Sequence, residues 1–152
     1  MSFNNLDQLY RSVIMDHYKN PRNKGVIEDG ALTIDMNNPT CGDRIRLTLD
    51  VEDRLTLDIV DDIVQDAKFD GEGCSISMSS ASMMTEAIKG KTIEEALKMS
   101  DEFSKMMLGE DYQIDEEAGD IEALSGVAKF PARIKCATLA WKALERGTKN
   151  EN

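Results

Sequence analysis

Pro39-Thr40-Cys41-Gly42-Asp43-Arg44 sets a thiol and a carboxylate two residues apart, on what reads as a loop between strands. Gly42 between them lets the backbone fold so that both side chains can face one point. Thiolate sulfur and carboxylate oxygen are both zinc ligands, and two ligands make an incomplete site. The remaining thiols are Cys74 and Cys136, and the chain has a single histidine, His17. Cys74 follows the turn Gly71-Glu72-Gly73 and opens a helical pattern, where the positive end of the helix dipole favours a thiolate. Cys136 falls about one turn into the last helix. Arg133, three residues earlier, is placed to favour a thiolate or hold an anion. No Cys-x-x-Cys pair exists, and cysteine is also a common small core residue. Two readings therefore stand for Cys41, Asp43, Cys74 and Cys136: one shared metal site, or separate structural residues. A shared site of three soft sulfurs and one oxygen selects zinc or an iron–sulfur species over magnesium or calcium. His17, on the same side of its helix as Val13 and Ile14, reads first as a partly buried residue holding the helix end. A metal ligand is its second reading.

The elements that must position these groups follow from periodicity. Asn4-Asn5 can cap a helix with Leu6, Leu9, Tyr10, Val13, Ile14 and Tyr18 on one stripe, stopped at Asn20-Pro21. Leu32, Ile34 and Met36 alternate with polar residues, as do Ile45, Leu47, Leu49 and Val51 after the Cys-Gly-Asp loop. The polar Glu52-Asp53-Arg54 then predicts a break before a further run at Leu55, Leu57 and Ile59. A less regular run covers Ile63 to Phe69. Helical spacing takes over from Cys74 to Lys89, with Gly90 as a stop. Thr92-Ile93-Glu94-Glu95 is a capping box for the next helix, closed by Gly109. Glu110 to Asp120 is acidic and reads as a surface loop, followed by a short helix around Ile121 to Leu124. The last helix starts near Pro131, carries Ile134, Ala137, Trp141 and Leu144 on one face, and stops at Gly147. Met78, Met83, Met84, Met106 and Met107 read as core filler, with a flexible partner-facing patch as the alternative. The serines Ser75, Ser77, Ser79, Ser80 and Ser82 have no histidine partner nearby in sequence and suggest no nucleophile.

Strands first and helices afterwards predict an α+β fold, with helices packed on one face of a small antiparallel sheet. At 152 residues the chain is expected to form a single domain, 1–152, with about 1–4 and 148–152 frayed. The net charge of −11 argues against a nucleic-acid partner, because counterion-releasing binding needs a basic surface. No apolar run approaches membrane-spanning length and no signal-peptide core is visible. Three cysteines, an odd count in a chain that is not cysteine-dense, suit a reducing cytoplasm better than a disulfide framework.

Four ordered motifs carry a resemblance. Asp16-His17-Tyr18-Lys19-Asn20-Pro21-Arg22-Asn23, Asn38-Pro39-Thr40-Cys41-Gly42-Asp43, Gly71-Glu72-Gly73-Cys74-Ser75-Ile76-Ser77 and Phe130-Pro131-Ala132-Arg133-Ile134-Lys135-Cys136 resemble the U-type iron–sulfur assembly proteins. Within that IscU-like and NifU N-terminal-like superfamily, the chain is most similar to the SufU branch of Gram-positive bacteria, from about Leu6 to Gly147. The resemblance implies a three-stranded sheet with helices on one side and a zinc site of Cys41, Asp43, Cys74 and Cys136 at one end. The scaffold branch has histidine before the third cysteine, where this chain has Lys135. The SufU branch also has extra residues before the last helix, matching Glu110 to Asp120.

A zinc-dependent sulfurtransferase is therefore implied. It would accept persulfide sulfur from a SufS-type cysteine desulfurase on Cys41 and pass it to a downstream acceptor or SufBCD-type scaffold. A desulfurase histidine would take the place of Cys41 on the metal, and Arg133 would give electrostatic support. The alternatives are a scaffold that assembles an iron–sulfur cluster on the same ligands and a structural zinc module. A sulfurtransferase should hold one zinc and accelerate a desulfurase. A scaffold should build a coloured, labile cluster, and a structural module should do neither.

Overall fold

The computed structural model describes residues 2–28, 32–38, 42–56, 59–114 and 116–149. Its elements are α1 (Ser2–Lys19), β1 (Leu32–Asn38), β2 (Asp43–Thr56), β3 (Ile59–Glu72), α2 (Ser75–Ile88), α3 (Ile93–Met107), a 3-10 segment (Glu116–Lys129) and α4 (Pro131–Lys149). The three strands form one antiparallel sheet in the order β1-β2-β3. Across it, Ile34 sits opposite Leu47 and Leu47 opposite Phe69, so one face is apolar from edge to edge. Ile34, Ile45, Leu47, Leu49, Ala67 and Phe69 are buried there against the helices. The opposite face is charged, with Arg46 paired to Asp35 and Arg44 to Glu72.

The strand boundaries differ from the sequence reading. Glu52-Asp53-Arg54 lies inside β2 rather than at a turn. The run Leu55, Leu57, Ile59 is divided between the end of β2 and the start of β3, with Leu57 outside the described residues. Pairing with β1 stops at Leu32 opposite Leu49, so beyond that point β2 pairs with β3 alone and the hairpin continues as a two-stranded ribbon. A two-stranded antiparallel ribbon can carry consecutive polar residues without turning. The irregularity of Ile63 to Phe69 also has a cause. Asp50 pairs with Asp66 but Val51 with Val64, so a bulge slips the register there by one residue. Alternation inward from Phe69 and Ala67 would continue to Gln65. The bulge turns Val64 inward instead, and Val64 is buried while Gln65 is exposed.

Helix α2 is the centre of the molecule. Of its residues, all from Ser77 to Ile88 except Glu86 are buried. A helix surrounded by protein must pair its polar side chains internally. Ser79 donates to the Ile14 carbonyl of α1 (2.6 Å) and Ser80 to the Ala137 carbonyl of α4 (2.5 Å). Trp141 Nε1 donates to Ser80 Oγ, and the Trp141 ring stacks on Phe103 of α3 with centroids 4.8 Å apart. The methionines singled out in α2 and α3 are all buried, as core filler. The capping box at Thr92 is present in both directions, Glu95 N to Thr92 Oγ1 and Thr92 N to Glu95 Oε1, each 3.0 Å.

Three helix boundaries depart from expectation. Helix α1 begins at Ser2, ahead of the Asn4-Asn5 cap. The acidic stretch from Glu116 is not loop but the start of the 3-10 segment, which continues through Gly126 to Lys129. Besides Ala123, its buried residues Ile121, Leu124 and Val127 recur at every third position, the period of a helix with three residues per turn. Helix α4 runs past Gly147 to Lys149. Gly147 is not a stop: a Cβ there would strike the Ile34 side chain, so glycine is what lets α4 lie close on β1. Among the described residues, no helix is long and apolar enough to cross a membrane.

Candidate metal centre

Asp43, Cys74 and Cys136 come from three elements and meet at one rim of the sheet. Each offers a ligand atom, and these atoms all lie within 4.8 Å of one another. Asp43 is the first residue of β2, follows Gly42 at φ +74°, and is fully buried. The Gly42 amide donates to the Asn38 carbonyl (2.8 Å), tying the start of β2 to the end of β1 beside Asp43. Cys74 is the N-cap of α2, half-buried, with extended backbone angles. Cys136 is fully buried in the second turn of α4.

The carboxylate is oriented rather than merely nearby. The Cys74 amide, one of the amides at the start of α2, donates to Asp43 Oδ1 (2.9 Å). Asp43 Oδ2 is left facing the Cys74 sulfur at 4.0 Å. Gly73 makes this approach possible, since a Cβ there would overlap both Asp43 Oδ1 and Ser77 Oγ. Burial pushes the Cys74 thiol up, but the amide and hydroxyl of Ser77 and the Cys136 sulfur outweigh it. The thiol is held below its ordinary value even with the Asp43 charge opposing. Two sulfurs and one carboxylate oxygen fit a zinc ion by donor type. In a tetrahedral site with bonds of about 2.0–2.3 Å, ligand atoms stand roughly 3.5 Å apart, a modest contraction from this arrangement.

The other candidates fall as follows. Cys41 lies outside the described residues. Arg133 is exposed in the first turn of α4, three residues before Cys136. His17 is elsewhere: buried, it joins Ser82 Oγ through Nδ1 and Asp120 Oδ2 through Nε2, both at 2.8 Å, and so holds α1 to α2 and to the 3-10 segment. Its first reading, a structural histidine at the helix end, is the one realised. Lys135 is exposed. Gly73 and Ser77 were not singled out as site residues. Their signal was present in Gly-Cys-Ser-Ile-Ser, where a serine three places after an N-cap shares the first turn with it.

Residues 9–149 match the model of the NifU-like N-terminal domain, and the chain belongs to that family. It is 68% identical over 152 residues to a protein of Bacillus subtilis named zinc-dependent sulfurtransferase SufU, covering 99% of this chain and 97% of that one. It is 46% identical over 149 residues to the iron–sulfur cluster assembly scaffold protein IscU of Streptococcus pyogenes, covering 98% and 88%. A crystal structure from Fervidobacterium islandicum, described as a candidate iron–sulfur cluster assembly scaffold for the SUF system, superposes with a TM-score of 0.73. It is 36% identical and covers 89% of this chain and 93% of its own. The expected three-stranded α+β fold is thus the family's, as is the resemblance read from the four motifs.

Proposed function

We propose that the chain is a zinc-dependent sulfurtransferase of iron–sulfur cluster biogenesis, with Cys41, Asp43, Cys74 and Cys136 as ligands. One observation carries the reading: the ligand atoms of Asp43, Cys74 and Cys136, far apart in sequence, converge within 4.8 Å. Cys41 is two residues from Asp43, and consecutive Cα atoms are about 3.8 Å apart, so the chain itself keeps that thiol in the neighbourhood. Similarity to the Bacillus protein, zinc-dependent by name, supports the metal and the activity. When bound, zinc keeps its cysteine ligands as thiolates at neutral pH.

The residues divide the work. Asp43 is pinned by the Cys74 amide, Cys74 by the start of a fully packed helix and Cys136 by the core. Cys41, beside a glycine of positive φ, is the ligand that can be released at least cost. Its thiolate attacks the outer sulfur of a persulfide on a cysteine desulfurase. A new S–S bond forms as the donor S–S bond breaks, the donor cysteine leaves as a thiolate, and no net oxidation occurs. A second exchange passes the sulfur to an acceptor of the cluster-building machinery. Arg133, exposed and three residues before Cys136 in α4, supplies positive charge for the incoming anionic sulfur. A reducing cytoplasm is the compartment that suits these thiols.

The test is metal analysis of the isolated protein, followed by desulfurase turnover with the wild type and with Cys41→Ala. One zinc per chain and stimulation lost in Cys41→Ala are expected; undiminished stimulation would overturn the acceptor role. The scaffold reading draws on the Streptococcus relative. A coloured cluster built on this chain and handed to an apo-protein, without stimulation of the desulfurase, would favour it instead.

A further inference from the structure

Four serines of α2 are fully buried, and three have partners on other elements. Ser79 and Ser80 hold carbonyls of α1 and α4, while Ser82 meets His17 and accepts from the Arg22 amide. Ser77 differs. Its Oγ lies 3.1 Å from the Cys74 carbonyl oxygen and 3.7 Å from the Cys74 sulfur, so its hydroxyl serves the residue that caps its own helix. The bond to the carbonyl is redundant, because the same oxygen also accepts from the Met78 amide (3.1 Å). A hydroxyl proton rotates freely and can choose between acceptors within reach. Ser77 is shielded from water, so no solvent competes for that proton.

We propose that Ser77 is a positioning residue of the metal centre: with Cys74 as a thiolate ligand, the Ser77 hydroxyl turns from the Cys74 carbonyl to the Cys74 sulfur and keeps it a fixed ligand. The carbonyl stays satisfied by Met78, so the turn leaves no buried acceptor orphaned. The lack of a side chain at Gly73 gives the hydroxyl its room, since a Cβ there would overlap Ser77 Oγ. Such an arrangement biases ligand exchange: Cys74 is tethered by a donor, and release falls on a different sulfur. The inference rests on the zinc-site reading above and deepens it.

The test uses Ser77→Ala and Ser77→Thr in the full chain. Alanine is smaller and favours helix, so the variant should fold, and circular dichroism of the metal-free protein checks this. Loss of an outer hydrogen-bond partner typically weakens metal binding by about 10–100-fold. Zinc release from Ser77→Ala to a chromophoric chelator is expected to be about tenfold faster or more, with Ser77→Thr close to wild type. In the cobalt(II)-substituted protein, removing a donor from the sulfur raises its lone-pair energy, so the sulfur-to-cobalt charge-transfer band should move to longer wavelength in Ser77→Ala alone. Unchanged release together with an unmoved band would overturn the inference. A wild-type protein that binds no zinc would overturn the sulfurtransferase reading instead, so the two failures are distinguishable.

Discussion

Alanine at Gly73 would probe the centre without touching a ligand. The backbone there has no positive φ to forbid a side chain, so the effect is steric. The new Cβ would lie 2.5 Å from Asp43 Oδ1 and 2.6 Å from Ser77 Oγ. Ordinary contact is about 3.5 Å, so the carboxylate must retreat by roughly 1 Å. That movement stretches the 2.9 Å bond from the Cys74 amide beyond hydrogen-bonding range. A hydrogen bond to a charged group contributes about 1.5–3 kcal/mol, so the metal-free fold should lose about 2 kcal/mol. With Asp43 displaced, zinc affinity should fall by about 10–100-fold, or about 1.4–2.8 kcal/mol. Urea unfolding of the metal-free protein and zinc competition against a chelator measure the two effects separately. Gly126→Ala is the control, because nothing lies within 4 Å of a Cβ there. Wild-type affinity and stability in Gly73→Ala would refute the reasoning that Asp43 is held by that contact.

Further tests concern the frame around the site. His17→Ala removes both 2.8 Å bonds that tie α1 to Ser82 and Asp120 and leaves a cavity; a loss of about 2–4 kcal/mol in urea unfolding is expected. Gly147→Ala forces a methyl against Ile34 and should cost about 1–3 kcal/mol, read as a lower Tm. Glu95 is held below its usual value of 4.5, chiefly by the Thr92 amide that it accepts from in the capping box. Its folded pKa is depressed, so its contribution is complete above pH 4.5 and fades as pH falls through the lower folded value. The urea midpoint of Glu95→Gln should therefore show a shallower acid dependence than wild type over that window, and Thr92→Ala should lose about 1 kcal/mol at neutral pH.

What could be read from the sequence was whatever a single period or a local signal encodes. The apolar stripe of α1, the alternation of β1 and the first half of β2, the Thr92 capping box and Pro131 at the head of α4 all belong to that class. The errors share one origin, which is that tertiary context decides what a polar residue or a glycine means. Glu52-Asp53-Arg54 looked like a turn because the sequence does not show that β1 ends opposite Leu49. Gly147 looked like a helix stop because only the packed structure brings Ile34 against it. The bulge at Asp50 and Val51 hid the inward role of Val64. At the site, residue types made Cys41, Asp43, Cys74 and Cys136 candidates; their wide spacing left a shared centre open, the four motifs implied one, and the fold brings the ligand atoms of Asp43, Cys74 and Cys136 within 4.8 Å. The roles of Gly73 and Ser77 depend on contacts of a few ångströms that no spacing rule expresses.

The cross-ties of α2 have a mechanical meaning. With hydroxyls engaged to α1 on one side and α4 on another, the helix can neither slide along its axis nor roll about it without breaking several interior bonds at once. Cys74, at its leading end, is therefore a pivot fixed in the frame of the whole molecule. The proposed ligand exchange is therefore expected to leave α2 in place, and amides of α2 should be among the slowest to exchange with deuterated solvent whether or not sulfur is being delivered.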